Sequence, residues 1–190
     1  MIKFFVFLLT CFLFFNLDAN MFSDNVPEAL FGPKIDQEFM PYIVGFIYYS
    51  NGKVTVADFS KLSIKFKKYP PADSDGRIIL GTCNYGFGVW NNYITFNEDW
   101  WKNKYVSDLE RWVTFVHESG HCVLNREHPY ELDALGSLLL KIDRFLVLAG
   151  VKKSSYFLED GCPITLMNPT IVNLYCINKH YTYYLKELYE

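Results

Sequence analysis

The sequence contains no internal repeat, no low-complexity tract and no long linker, so its 190 residues predict a single domain. It also lacks an excess of positive charge. The 18 Lys and Arg residues are outnumbered by 21 Asp and Glu residues, and no basic stripe or polybasic run occurs. These absences argue against a nucleic-acid partner and against electrostatic attachment to an anionic membrane.

Long apolar runs are equally scarce, and the one prominent run lies at the N-terminus. It extends from Phe4 to Leu17 behind a short basic start. This length suits a secretory signal and is short for a membrane span, so we predict a cleaved signal peptide over residues 1–19 and no stable membrane insertion. The mature chain, residues 20–190, is expected to be a secreted, periplasmic or cell-surface protein and a monomer.

The sequence has five cysteines, and one of them lies within the predicted signal. The mature chain keeps Cys83, Cys122, Cys162 and Cys176, an even number in a compartment where disulfides persist. We therefore expect two structural disulfides. The alternative is that one cysteine, Cys122 in particular, is a free or metal-associated thiol. Four cysteines allow three pairings, and the sequence alone does not choose among them.

Hydrophobic periodicity indicates a short sheet followed by helices. Strand-like patterns occur near 62–67, 77–83 and 93–96. Helical patterns occur over 39–50, 107–124 and 131–149, the last with an apolar stripe, and over a C-terminal segment with Tyr181, Tyr184, Leu185 and Leu188 on one face. The expected fold class is α+β, with a short, mostly antiparallel sheet, a central helix and C-terminal helices.

The helix over 107–124 carries the strongest chemical signal. Ser107 and Glu110 form a capping-box pattern that predicts where the helix begins. His117 and His121 are four residues apart, so both imidazoles project from one face, as a zinc ion held by two ring nitrogens requires. Glu118 is rotated about 100° from His117, close enough to reach a metal-bound water without being a ligand.

A catalytic zinc ion needs a third protein ligand and an open position for water. Two histidines remain, His128 and His180. His128 comes within reach if the helix ends at Asn125, because asparagine tolerates the left-handed conformation that turns the chain back. The alternative is that the helix histidines form a solvated face without a metal.

These residues resemble the metzincin clan of zinc metallopeptidases. The resemblance rests on the His117–His121 motif, the turn at Asn125, His128 and the later run Thr165–Pro169, which is similar to a Met-turn. The sequence is more similar still to small exported bacterial metallopeptidase homologues, in which the second histidine is followed by Cys, then Arg and His. The resemblance covers residues 77–128 and 162–190 best.

The resemblance implies a zincin-like catalytic domain with one catalytic Zn²⁺. His117, His121 and His128 would be its ligands, Glu118 the general base, and Met167 the methionine of the turn beneath the metal. Cys162 and Cys176 bracket that turn closely enough to staple it, and Cys83 would then pair with Cys122.

The sequence departs from the common metzincin pattern in one respect. That pattern has a Gly three residues after the second histidine and the third ligand six after it, and those places hold Leu124 and Glu127 here. Asn125 and His128 both come one residue later. A rival third ligand is Glu131, or Asp133 in an analogous role, as in the gluzincin arrangement.

The expected function is that of a zinc metalloendopeptidase acting on a peptide or protein substrate. A zinc-bound water would hydrolyse the peptide bond with Glu118 as general base. One alternative is a secreted binding module with a structural zinc ion, closed by a fourth ligand such as Cys122 and without hydrolytic activity. Another is an aromatic-rich interaction domain without metal.

Overall fold

The structure, a computed structural model, describes residues 35–72, 78–85, 92–130, 134–151, 153–170 and 172–190, and the side chains of 134–137 are not among those described. The predicted signal peptide and the rival ligands Glu131 and Asp133 lie outside these ranges. So does part of the predicted strand 77–83. The remaining candidate site residues all lie within the described ranges.

Six helices and three strands make up the regular structure of the described ranges. A short 3-10 turn, Gln37–Phe39, leads into the first helix. The helices are α1 (Met40–Tyr49), α2 (Val56–Ser60), α3 (Glu98–Trp101), α4 (Asp108–Leu124), α5 (Ala134–Leu148) and α6 (Leu174–Tyr189). The strands are β1 (Ser63–Lys67), β2 (Gly81–Asn84) and β3 (Tyr93–Asn97). The predicted α+β class is confirmed, while the short helices α2 and α3 were not predicted.

The sheet has the order β1-β3-β2 and is mixed. β1 and β3 run parallel, with Ile64 opposite Ile94. β2 and β3 run antiparallel, with Cys83 opposite Ile94 on the other side. A mostly antiparallel sheet was expected; the central strand β3 is antiparallel to β2 but parallel to β1, so one of the two pairings differs from that expectation.

Aromatic rings form the centre of the core between α4 and the sheet. Phe115 of α4 is completely buried. Its ring centroid lies 5.8 Å from that of Phe96 in β3 and 6.3 Å from that of Phe59 in α2. Burial of such large rings is the main stabilising contribution, and it holds α4 firmly against the strands.

Both predicted ends of α4 are confirmed. Ser107 Oγ accepts a hydrogen bond from the Glu110 N–H at 3.2 Å, and the Glu110 carboxylate accepts one from the Ser107 N–H at 2.7 Å. At the other end Asn125 adopts the left-handed conformation, with φ of 52° and ψ of 37°. The capping box therefore fixes where the histidine-bearing helix begins, and Asn125 turns the chain as it ends.

Two disulfides join the four cysteines of the described ranges. Cys83 of β2 is bonded to Cys122 of α4, and Cys162 is bonded to Cys176 of α6. The expectation of two disulfides is thus confirmed, together with the pairing suggested by the bracketed turn. Cys122 is not a free or metal-bound thiol.

The apolar stripe predicted for this helix is present in α5, but it does not face the described core. Leu138, Leu139, Ile142 and Phe145 are exposed, whereas Val147 on the opposite face is buried. Periodicity correctly predicts an amphipathic helix, but it does not determine which face packs inward.

No helix in the described ranges is both long enough and apolar enough to cross a membrane.

Candidate metal centre

Three histidine side chains converge on one point. The Nε2 atoms of His117 and His121 are 3.3 Å apart, those of His121 and His128 are 3.0 Å apart, and those of His128 and His117 are 3.2 Å apart. His117 is buried, His121 half-buried and His128 exposed, so one side of the cluster faces solvent. The three residues predicted as ligands are therefore brought together.

Helix geometry and one turn account for this convergence. His117 and His121 lie one turn apart on α4, so their rings share a face. Beyond Asn125, the Arg126 N–H donates to the Gly120 carbonyl at 3.0 Å, which folds the departing chain back over the end of the helix. His128 then reaches the same face two residues later.

The second ring nitrogen of each helix histidine contacts a backbone carbonyl. His117 Nδ1 lies 2.7 Å from the oxygen of Leu166, and His121 Nδ1 lies 2.6 Å from the oxygen of Arg126. A carbonyl oxygen only accepts, so both Nδ1 atoms carry a proton, and in the neutral rings both Nε2 atoms bear lone pairs. Two lone pairs 3.3 Å apart repel unless a cation or proton lies between them.

Burial keeps these rings neutral. Loss of solvation lowers the pKa of His117 to about 3, and the hydrogen bond to Leu166 offsets this only in part. Burial also lowers the pKa of His121 and that of His128. Neutral imidazoles do not supply the missing proton, but they are the form that binds metals. The three histidines could therefore hold a metal ion.

Glu118 lies next to His117 but is held on the side of β2. Its side chain is buried. A Cβ added at Gly81 would lie 2.8 Å from Glu118 Cγ, so the strand approaches the carboxylate as closely as a glycine allows. Burial raises the pKa of Glu118 to about 8, and a hydrogen bond from the Cys83 backbone lowers it by less. A buried carboxyl group on the histidine helix is thus positioned by β2.

Met167, the methionine of the predicted Met-turn, packs against the histidine helix. Its side chain is 1% exposed. A Cβ built at Gly120 would lie 2.6 Å from Met167 Sδ, so the methionine packs directly on the helix at Gly120, which lies between His117 and His121 in the sequence. The residue before it, Leu166, provides the carbonyl that contacts His117. The turn therefore supports the site from below.

The remaining histidine belongs to another cluster. His180 Nε2 lies 2.7 Å from the Asp160 carboxylate, which also pairs with Lys179. Cys162 is close to this pair, but its sulfur is bonded to Cys176 and is not available as a ligand. Asp160 thus contacts both His180 and Lys179 in a second polar cluster, at the start of the turn segment.

Several residues around the site were not predicted from the sequence. They are Gly81, which admits Glu118; Arg126 and Leu166, whose carbonyls contact the histidines; and Glu187 of α6, which pairs with the Arg126 side chain. Arg126 itself was part of the resemblance described above, but nothing in the sequence indicated that its side chain pairs with Glu187. Contacts made by backbone carbonyls cannot be predicted from residue type, because every residue has a carbonyl.

Comparison with protein-family profiles, with curated proteins and with solved structures found no match to this chain.

Proposed function

We propose that this protein is an exported zinc-dependent metallopeptidase that hydrolyses peptide bonds. The observation that carries the proposal is the convergence of three neutral imidazoles, with Glu118 following the first of them on the same helix. In zinc peptidases such a set provides three ligands and a general base. The proposal also agrees with the resemblance of His117–His128 to the metzincin motif.

Zinc fits the donor set and its spacing. Three neutral imidazole nitrogens are ligands that zinc prefers. Two nitrogens bound at about 2.0–2.1 Å in a tetrahedral arrangement lie about 3.3–3.4 Å apart. The observed Nε2 separations of 3.0 to 3.3 Å are close to this value. The carbonyls on Nδ1 of His117 and His121 also fix the tautomer that leaves Nε2 for the metal.

The composition of the site supports a catalytic rather than a structural role. Within the described ranges, the group comprises three histidines and no fourth His, Cys, Asp or Glu ligand. Cys122, the fourth ligand considered for a closed site, is bonded to Cys83. The exposure of His128 leaves one side accessible to water and substrate. A site with three protein ligands and an accessible side is typical of hydrolytic zinc.

Zinc held by His117, His121 and His128 would supply a Lewis acid that polarises the peptide carbonyl and lowers the pKa of water. Glu118 takes the proton from the attacking water and delivers it to the leaving amine. β2 approaches Glu118 through Gly81 and is an edge strand of the described sheet. An extended peptide that pairs with β2 would have its backbone next to this carboxylate, which favours a polypeptide substrate.

Export is supported by the cysteines as well as by the N-terminal sequence. Both disulfides join elements next to the proposed site: β2 to α4, and the Met167 turn to α6. Disulfides of this kind persist in oxidising compartments. We infer a periplasmic, cell-surface or secreted location.

The replacement Glu118→Gln tests the mechanism. It removes the proton acceptor but keeps the size of the side chain. We expect hydrolysis of a broad peptide library to fall by at least about 10²-fold, since general-base catalysis contributes about 10²–10⁴-fold. Zinc content, measured by elemental analysis of the purified protein, should remain at the wild-type level.

Two further variants complete this experiment. Glu98→Gln removes a surface carboxylate that pairs with Lys102 and should retain full activity. His128→Ala should lose both zinc and activity. Chelator-sensitive hydrolysis that persists in Glu118→Gln would refute the role of Glu118, and zinc retained by wild type without any hydrolysis would favour the structural alternative.

A further inference from the structure

The two carbonyls that contact the helix histidines belong to segments far apart in the sequence. Arg126 lies just beyond α4, whereas Leu166 lies in the turn that contains Met167. Neither residue is part of a helix or strand. Their distance from the rings therefore depends on side-chain contacts that hold these two segments in place.

One carboxylate contacts both segments. Glu187 of α6 forms an ion pair with the Arg126 guanidinium through Oε1. Its other oxygen, Oε2, accepts a hydrogen bond from the Thr165 hydroxyl at 2.7 Å. The same hydroxyl accepts from the Met167 N–H at 3.0 Å. Glu187 thus links the segment that contacts His121 to the turn that contacts His117.

The linkage is partly shielded from water. The Arg126 and Glu187 side chains are 33% and 23% exposed. Charge-assisted hydrogen bonds are shorter and stronger than neutral ones, and partial burial reduces their screening by salt. A pair in this environment can therefore hold two loops more firmly than a fully exposed ion pair.

We propose that Glu187 is a positioning residue for the metal site. It holds the Arg126 and Leu166 carbonyls at the distances that orient His121 and His117, and so it sets the affinity for zinc. It contacts none of the three histidines in the described hydrogen bonds, so its effect passes through Arg126 and Thr165. This inference rests on the zinc binding proposed above.

Attachment of α6 to the rest of the molecule does not depend on Glu187. Tyr184 donates to the Pro163 carbonyl at 2.7 Å, and Tyr189 donates to the Phe46 carbonyl at 2.9 Å. Cys176 is bonded to Cys162, and Leu188 is buried. Loss of the Glu187 contacts should therefore leave the helix docked, which separates a positioning role from a purely structural one.

The test uses Glu187→Gln in the full chain and measures zinc affinity by competition with a chromophoric chelator. Glutamine keeps the shape of the side chain, but it removes the charge that pairs with Arg126, and its amide nitrogen cannot accept the hydrogen bond that the Thr165 hydroxyl donates. Glu190→Gln is the matched control, because it removes the same charge from an exposed pair with Lys186 on the same helix. We expect zinc affinity to fall about 10–100-fold in Glu187→Gln and to be unchanged in Glu190→Gln.

Urea unfolding of the metal-free proteins provides the second measurement. The metal-free unfolding midpoints of Glu187→Gln and Glu190→Gln should be similar. Thr165→Val removes the hydroxyl that donates to Glu187 and accepts from the Met167 N–H, so it should also weaken zinc binding, and it serves as the test if Glu187→Gln does not fold.

The possible outcomes are distinguishable. If wild type binds zinc and neither Glu187→Gln nor Thr165→Val weakens binding more than Glu190→Gln does, the positioning role is refuted and the metal site stands. If Glu187→Gln folds and its zinc affinity is unchanged, that result by itself also refutes the positioning role. If wild type binds no zinc, the proposed function itself is refuted.

Discussion

Gly120 shows how a single missing side chain shapes the proposed site. The residue lies on α4 one position before His121, where glycine costs about 1 kcal/mol relative to alanine in a helix. A Cβ there would lie 2.6 Å from Met167 Sδ and 3.2 Å from Leu188 Cδ1. Glycine at this position lowers the helix propensity, but it allows the close approach of Met167, and the residue before Met167 provides the carbonyl that contacts His117.

Gly120→Ala should therefore destabilise the protein, although helix propensity alone predicts the opposite. Propensity would add about 1 kcal/mol to the free energy of unfolding, whereas overpacking a filled core costs about 1–3 kcal/mol. We expect a net loss of about 1 kcal/mol, measured by urea unfolding of the metal-free protein.

Met167→Ala provides the matched background for this measurement. It removes the sulfur that the new methyl group would meet, so Gly120→Ala should be neutral or stabilising when added to it. A double-mutant cycle without coupling between the two positions would show that Met167 is not the obstacle.

At the scale of elements, α4 and α5 illustrate the two possible results of an amphipathic pattern. Both helices were predicted from apolar spacing. The apolar residues of α4, such as Phe115, are buried against the sheet, whereas Phe145 of α5 is 69% exposed. Periodicity identifies a face, but only the neighbouring elements decide whether that face is covered.

Replacement of the two phenylalanines by alanine should reveal this difference. Phe115→Ala should lower the free energy of unfolding by about 3–5 kcal/mol, as is usual for a buried ring. Phe145→Ala should change it by less than about 0.5 kcal/mol, as is usual on a surface. Chemical denaturation of both variants checks the prediction, and comparable losses would mean that the α5 stripe is covered in the folded protein.

At the scale of the whole molecule, the two disulfides close loops of different length. Cys83 and Cys122 are separated by 39 residues and join the strand beside Glu118 to the histidine helix. Cys162 and Cys176 are separated by 14 residues and join the Met167 turn to α6. The cross-links thus connect the sheet, the central helix and the C-terminal helix around the proposed site.

Removing the disulfide that closes the longer loop should lower the free energy of unfolding by the larger amount. Loop-closure entropy predicts that paired Cys→Ser replacement costs about 4 kcal/mol at Cys83 and Cys122, and about 3 kcal/mol at Cys162 and Cys176. Equilibrium unfolding of the two double variants measures both values. A larger loss from the shorter loop would show that native contacts, rather than chain entropy, dominate the effect.

Much of the proposed site could be predicted from the sequence because its signals are local. The four-residue spacing of His117 and His121 places both rings on one helix face whatever surrounds the helix. The capping box at Ser107 and the left-handed Asn125 are likewise short-range features, and both were predicted and confirmed. Local chain geometry determined the helix, its ends and the direction in which its histidines point.

The tertiary structure alone decided what holds those histidines in place. Every residue has a backbone carbonyl, so nothing in the sequence identifies Leu166 and Arg126 as the ones that lie within hydrogen-bonding distance of the rings. The same is true of Glu187, which contacts Arg126 across 61 residues of chain. Such contacts depend on how α6 and the Met167 turn pack against α4, and long-range packing leaves no periodic pattern in the sequence.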